Sequence, residues 1–153
     1  MTGYLLCKVV LSAGLALWFL VNVLNHLQDW NGPLTFVQSF LRMSSLDEEP
    51  AIPTPLQSRQ VRDERFAWAG LILITISQSM IGLAYGAAAI LFAARQSQAP
   101  TVALIACAGS AALWLTFLVV GAWFAYWLKL GELQRMHVLL LGIALISMLV
   151  LGA

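Results

Sequence analysis

The chain alternates between long apolar runs and short polar interruptions, and four of the runs are long enough to cross a lipid bilayer. About 20 residues of α-helix, each rising about 1.5 Å, span a hydrocarbon layer of roughly 30 Å. Because backbone N–H and C=O groups find no water in lipid, each run is predicted to be an α-helix. The runs cover approximately residues 5–24, 66–94, 101–128 and 135–151.

Short links predict how these helices are arranged. Residues 95–100 join the second run to the third, and residues 129–134 join the third to the fourth. Links of this length place consecutive helices antiparallel and side by side. The predicted fold is therefore an all-α integral membrane protein, in which four transmembrane helices form an up-down bundle within a single domain of residues 1–153.

The first link, residues 26–65, is the one long extramembrane segment. Leu34, Val37 and Leu41 recur in it at helical spacing beside polar positions. This pattern is typical of a short amphipathic helix, too short to span the bilayer but suited to lie in its interface.

The second half of the link is predicted to be a spacer that leads into the next span. Three prolines between residues 50 and 55 favour extended backbone. Arg59 and Asp63 stand four residues apart, so they are predicted to pair on a helical approach to the second span.

Composition indicates that lipid covers much of the surface. Hydrophobic residues make up 61% of the 153 and charged residues only 10%, against about 25% charged in a soluble domain. The formal net charge of +1 argues against nucleic acid as a partner. Two cysteines, Cys7 and Cys107, are too few for a disulfide framework. The first run lacks a small-x-small cleavage site and is interpreted as an uncleaved anchor.

Aromatic residues concentrate on the side of the membrane that holds the long link. A belt of rings at the headgroup level is the ordinary explanation, because an apolar ring and a polar N–H or O–H both find partners there. The alternative is a platform for a protein partner or for lipid headgroups, since the belt is one-sided and an amphipathic segment covers it. The platform residues are Trp30, Phe36, Phe40, Trp68, Trp123 and Trp127.

Charge alone leaves the orientation open. Six basic residues lie on the long-link side and two on the other, which by the positive-inside rule places the long link in the cytoplasm. All seven acidic residues lie on the long-link side as well, so the basic excess there is cancelled.

The two histidines, His26 and His137, fall near the same membrane face. A facing pair could ligate haem or a metal ion. No Cys, Asp or Glu completes a metal set at useful spacing, and each histidine is expected at a helix end close to water. Both are therefore predicted to be solvated or bonded to headgroups, and no metal or cofactor is predicted.

The uncharged polar residues of the spans are Asn22 and Asn25, near the end of the first run, and Ser77, Gln78 and Ser79, in the middle of the second. Hydrogen bonds between helices are the plainer role for them. A cavity that unites them for contact with lipid, quinone or a substrate is the alternative. Gly82 and Gly86 have the small-xxx-small spacing that lets two helix backbones approach, either within the bundle or against another protein.

No arrangement of residues specifies a reaction. No nucleophile has a nearby base, no glycine-rich loop is suited to cradle a phosphate, and no carboxylate pair lies within a span. The protein is therefore predicted not to be an enzyme.

Aromatic motifs spread over nearly the whole chain carry a resemblance to a family. Residues 25–30 read Asn-His-Leu-Gln-Asp-Trp and are followed by Phe36-Val37 and Leu41-Arg-Met43; Trp68 opens the second span, Trp114 lies in the third, and residues 121–127 read Gly-Ala-Trp-Phe-Ala-Tyr-Trp. Together they resemble a bacterial domain-of-unknown-function family described as predicted small integral membrane proteins.

The resemblance implies a proteobacterial inner-membrane protein with cytoplasmic termini and a periplasmic long link. Relatives tend to carry a glutamate where this chain has Gln78, and an acidic residue where it has Ala122. Any proton or cation chemistry that such a glutamate serves in relatives is then missing here.

These observations favour a non-catalytic accessory subunit that packs against a larger membrane complex, such as a respiratory or photosynthetic assembly. A small oligomeric transporter, or a membrane protein that binds lipid or quinone, is the competing hypothesis. In both cases membrane lipids surround the spans.

Overall fold

The computed structural model describes residues 3–153, and every regular element among them is helical. Three short 3₁₀ segments, at Ser44–Leu46, Pro55–Arg59 and Tyr126–Leu128, accompany five α-helices. The α-helices are α1 (Gly3–Gln28), α2 (Asn31–Leu41), α3 (Glu64–Ala93), α4 (Ala99–Trp123) and α5 (Gly131–Gly152).

Four of these helices, α1, α3, α4 and α5, are long and apolar enough to cross a bilayer. They coincide with the four apolar runs, and their ends agree with the predicted ends to within five residues. The prediction of four apolar helices long enough to span is therefore confirmed.

The long helices pack in the order α1, α3, α4 and α5, each against the next. Small residues on the facing sides, among them Ala88, Ala103 and Ala106, are at most 1% exposed. Such residues let helix backbones come close, which is the main source of attraction between helices in lipid. The edge helices α1 and α5 touch little, although the Tyr4 hydroxyl donates to the carbonyl oxygen of Val150 at 2.9 Å.

Gly82 and Gly86 lie on the face of α3 that meets α1. A Cβ atom at Gly82 would lie 3.1 Å from the side chains of Leu20 and Phe19, and one at Gly86 would lie 3.9 Å from that of Ala16. The small-xxx-small pair therefore contacts a helix of this same chain.

The helix α4 ends at Trp123, five residues before the predicted end of the third run. Ala125 adopts a left-handed conformation with φ 53°, and Tyr126 folds back onto α4. The Tyr126 ring occupies the space beside Gly121, where a Cβ atom would lie only 2.5 Å from Tyr126 Cζ. The predicted boundary was wrong because residues 124–128 are as apolar as the span before them.

Residues 42–62, here named the cap, fold over the end of α4 and the link that follows it. Met43 is 2% exposed and packs at the turn around Ala125. Ile52 and Leu56 pack against the same cluster. The proline-rich stretch has no helix before Pro55, and Thr54 is extended. It is not a free spacer, however, because its apolar side chains join a small core.

Two basic side chains form hydrogen bonds that connect the cap to the end of α4 and to the α4–α5 link. Arg59 donates to the carbonyl oxygen of Trp123 at 3.0 Å, at the C-terminus of α4, where a cation is favoured by the helix dipole. Lys129 donates to the carbonyl oxygen of Glu48 at 2.8 Å. The predicted pairing of Arg59 with Asp63 was wrong, because Asp63 caps α3 by accepting a bond from the backbone N–H two residues on at 2.9 Å.

The amphipathic segment forms the helix α2, which packs along the first turns of α3. Leu34 is buried against Ala67 and Leu71, whereas Phe36 is 52% exposed. The buried and exposed positions of α2 therefore follow the spacing seen in the sequence.

Replacing Gly121 with alanine is expected to destabilise the protein, because the added methyl group overlaps the Tyr126 ring. Overpacking of this kind costs about 1–3 kcal/mol. Thermal unfolding of the purified protein in detergent should therefore show a lower Tm for Gly121→Ala than for the wild type.

Gly142→Ala is the matched control, since nothing lies within 4 Å of a Cβ atom at Gly142. Alanine there removes a glycine from a helix interior, which stabilises by about 0.5–1 kcal/mol. Equal Tm values for the two variants would show that Tyr126 does not pack against α4 in this way.

Candidate functional site

Trp114 is the side chain at which three spans meet. From α4 its ring stacks on those of Trp18 and Phe19 in α1, with centroids 5.9 and 6.0 Å away. It also stacks on the His137 ring of α5 at 6.2 Å. Aromatic pairs contribute about 0.5–1.5 kcal/mol each beyond the area they bury. Trp114 therefore links the edge helices α1 and α5, which touch little directly.

His137 lies inside this cluster and is only 8% exposed. The rings of Phe117 and Tyr126 lie 5.1 and 6.1 Å from its own. The expectation that His137 is solvated at a helix end was wrong. The reason is that α5 begins at Gly131, which puts His137 in the second turn, and that Tyr126 folds over it.

Two buried polar atoms of this cluster have no hydrogen-bond partner, His137 Nδ1 and the Tyr126 hydroxyl. A buried group without a partner costs about 1–3 kcal/mol, and native proteins keep few of them. Burial raises the pKa of the Tyr126 hydroxyl, so this group stays protonated and able to donate. Within the described residues, this cluster therefore contains two polar groups whose hydrogen-bonding capacity is unused.

A second polar cluster joins α3 to α4 and is closed on itself. The Tyr85 hydroxyl lies 3.4 Å from the Cys107 thiol and 3.1 Å from Ser110 Oγ. Ser110 Oγ also lies 3.0 Å from the carbonyl oxygen of Ala106. Because these groups satisfy one another, the cluster is a contact between helices and leaves nothing free for a ligand.

The polar residues that were expected to bond between helices, or alternatively to share a cavity, occupy different surroundings. Asn22 donates to the carbonyl oxygen of Trp18 in its own helix at 2.8 Å, and Asn25 is exposed on α1. Gln78 is 7% exposed, and its Oε1 has no partner. Within residues 3–153, none of the three makes a hydrogen bond to another helix.

His26 contacts α3, since its Nδ1 lies 3.0 Å from Thr75 Oγ1. His137 instead packs among the rings around Trp114. Over the described part of the chain, no three His, Cys, Asp or Glu side chains come together to hold a metal ion.

The rings of the expected platform divide into packed and exposed ones. The rings of Trp30 and Trp68 pack tilted against each other, with centroids 5.5 Å apart, and Trp68 is 46% exposed. Phe40 is turned inward, with its ring 5.6 Å from that of Phe124 and 6.3 Å from that of Tyr126. The other exposed rings are Phe36, Trp123 and Trp127, at 52%, 57% and 50%.

The grouping of Trp114, Tyr126 and His137 was missed from the sequence, although each residue was visible there. An ionisable side chain within an apolar helix is by itself a reason to look for function, so His137 could have been singled out. Tyr126 could not have been singled out, because the chain reverses at Ala125, and alanine is not a residue type that marks a turn in the sequence.

Comparison with known proteins gives a family and nothing finer. The comparison with curated proteins and the comparison with solved structures each found no match. The family model described as "Predicted small integral membrane protein (DUF2165)" matches residues 4–153. A match over nearly the whole chain confirms the resemblance seen in the aromatic motifs, and this integral membrane protein belongs to that family.

Proposed function

We propose that this protein is a non-catalytic accessory subunit that packs laterally against a larger membrane complex, of the energy-transducing kind found in respiration or photosynthesis. The main support is that exposed aromatic rings near the cap are held in place by contacts within the protein itself. The rings held in this way are those of Trp123 and Trp68.

Each of these two rings is held by a neighbouring side chain. The Arg59 guanidinium lies 4.5 Å from the centre of the Trp123 ring, and the Trp68 ring packs against that of Trp30. Side chains that are fixed before binding lose less conformational entropy on association. Tryptophan is also enriched among the residues that dominate the binding energy of interfaces.

The edge helices supply lateral surface for such a partner. In their most apolar stretches α1 and α5 bury 22% of their residues, compared with 33% for α3 and 39% for α4. Most of the surface of α1 and α5 is therefore available to lipid or to the helices of a partner.

Our proposal includes a membrane topology. The spans form an up-down bundle in a bacterial inner membrane, with both termini in the cytoplasm and the cap in the periplasm. The helix α2 lies in the interface, where its exposed Phe36 meets lipid or a partner and its buried Leu34 contacts α3.

A second candidate function is a small oligomeric membrane protein that binds lipid or quinone. The observation that favours it is the pair of unpartnered polar atoms, His137 Nδ1 and the Tyr126 hydroxyl. A ligand carbonyl or hydroxyl could satisfy both of them.

Alanine at both Phe36 and Trp127 is expected to release the protein from its complex in mild detergent. Both rings are about half exposed, so their removal leaves the fold intact, whereas Trp30 and Phe40 pack internally. Blue native electrophoresis with mass spectrometry of the bands should show the variant at the size of the free protein and the wild type in a larger assembly.

Leu83→Ala combined with Leu149→Ala is the control, because these side chains are 65% and 76% exposed on the spans. That variant should stay in the complex. Migration of the Phe36/Trp127 variant with an intact complex, or of the wild type as free protein, would refute the platform.

His137→Phe separates the two candidate functions. If the protein is an accessory subunit without a small ligand, phenylalanine removes an unpartnered nitrogen from an aromatic cluster. The variant should then have a higher Tm, with a free energy of unfolding larger by about 1 kcal/mol. Organic extracts of wild type and variant should then contain the same lipids and quinones by mass spectrometry. A compound present only in the wild-type extract would favour the binding protein instead.

Cysteine labelling in intact cells tests the topology. In a Cys7→Ser background, Ala51→Cys in the cap and Ser97→Cys in the α3–α4 link are both exposed positions, and Cys107 is buried. A membrane-impermeant maleimide applied to spheroplasts should label Ala51→Cys at once and Ser97→Cys only after lysis. The reverse order would overturn the orientation.

A further inference from the structure

Arg42 and Arg62, the first and last residues of the cap, line the same cleft although they are twenty positions apart in the sequence. Arg42 directly follows α2, and Arg62 lies two residues before the start of α3. The backbone N–H of Val61 donates to the carbonyl oxygen of Leu41 at 3.0 Å. This bond holds the two segments together and brings both arginines to one cleft.

The cleft is open and has a volume of about 380 Å³. It is a surface groove that can contact one end of a ligand, such as a headgroup, and not an enclosed pocket. Its lining is polar and consists of Arg42, Ser44, Asp47, Gln60 and Arg62.

The arginines have donors to spare. A guanidinium carries five N–H donors, and Arg42 uses one nitrogen in its 3.1 Å ion pair with Glu64. The one side-chain partner of Arg62 over residues 3–153 is the neutral Oε1 of Gln60, at 3.1 Å. The positive charge of Arg62 is therefore not compensated by an ion pair. The planar fork of a guanidinium matches phosphate oxygens two at a time.

Asp47 gives the cleft a negative charge as well. Its Oδ1 accepts a hydrogen bond from Gln57 Nε2 at 2.9 Å, which leaves Oδ2 for another donor. With Arg42 neutralised by Glu64, Arg62 and Asp47 remain as one positive and one negative group. A ligand with a phosphate and an ammonium group complements this pair better than a simple anion does.

The position of the cleft relative to the bilayer favours a lipid as the ligand. The span α3 begins two residues after Arg62, and the Trp68 ring in its first turns lies 5.5 Å from that of Trp30, tilted against it. Tryptophan rings prefer the headgroup level of the bilayer. With these two rings at that level, the cleft would lie at the height of the phospholipid phosphates.

We propose that this cleft binds the phosphoethanolamine headgroup of a phospholipid, with Arg42 and Arg62 on the phosphate and Asp47 on the ammonium group. This inference does not depend on the accessory role, since a lipid site of this kind is compatible with either candidate function. Free phosphate shares part of the chemistry and is distinguished in the experiment.

Native mass spectrometry of the full chain, delipidated in detergent and titrated with short-chain phosphatidylethanolamine, tests the site. The wild type should bind the lipid, and Arg62→Gln should bind it about tenfold more weakly, because a hydrogen-bonded charge is lost. Arg135→Gln is the matched control: Arg135 pairs with Glu132 at 2.7 Å outside the cleft, and its loss should leave the affinity unchanged.

The same assay tests which headgroup is preferred and whether the bound phosphate belongs to a lipid or is free inorganic phosphate. Phosphatidylcholine has no N–H donor for Asp47 and should bind more weakly than phosphatidylethanolamine. Asp47→Asn keeps an acceptor for Gln57 and should remove that difference, while phosphatidylglycerol binds both proteins equally. Inorganic phosphate should not displace the bound lipid.

Equal affinities of the wild type and Arg62→Gln, or of the ethanolamine and choline lipids for the wild type, would overturn the proposal. Displacement by inorganic phosphate would overturn it in favour of free phosphate. Thermal unfolding checks that each variant is folded. If Arg62→Gln does not fold, Arg62→Lys replaces it and should bind the lipid more weakly than the wild type, because lysine lacks the planar pair of donors of a guanidinium. In that case too, Asp47→Asn should bind the ethanolamine and choline lipids equally.

Discussion

Hydrocarbon around the spans removes the hydrophobic effect as a force between helices, so close packing and a few specific contacts must hold the bundle together. In this protein the packing comes from faces lined with alanine and glycine, such as Gly82 against α1. The specific contacts come from aromatic rings. α1 packs mainly on α3 and α5 mainly on α4. Trp114 adds a link between these two edge helices, because its ring stacks on Trp18, Phe19 and His137.

The same requirement for close packing explains the end of α4. A glycine at position 121 leaves room for the Tyr126 ring, and the ring can reach it because Ala125 reverses the chain. Tyr126 then contacts His137 on one hand and Phe40, next to the cap, on the other. The small size of Gly121 therefore contributes to how the cap is joined to the bundle, beside the hydrogen bonds of Arg59 and Lys129.

The sequence predicted the features that depend on local patterns. Lipid as the solvent makes hydropathy decisive, so the four spans and the helix containing Leu34 could be located from the residues. The cap and the site could not, because they arise from contacts between distant residues. Arg59 was assigned to Asp63, four positions away, whereas it bonds the carbonyl of Trp123, 64 positions away. His137 was expected near water because the ring that covers it belongs to a turn with no sequence signal.

The proposed headgroup site and the aromatic cluster are joined by continuous contacts. The backbone carbonyl of Leu41, next to Arg42, accepts a hydrogen bond from Val61, next to Arg62. The preceding residue, Phe40, contacts the Tyr126 ring, and Tyr126 in turn contacts His137. A ligand shifts an equilibrium only by its different affinity for two states. The two arginines come together only when both ends of the cap are folded, so a bound headgroup favours the folded cap over the unfolded one. The effect grows with ligand concentration, reaching about 2.7 kcal/mol at a hundred times Kd. In a membrane where such a lipid is abundant, its binding to the cleft would therefore stabilise the folded cap and, through Tyr126, the packing of the helices next to it.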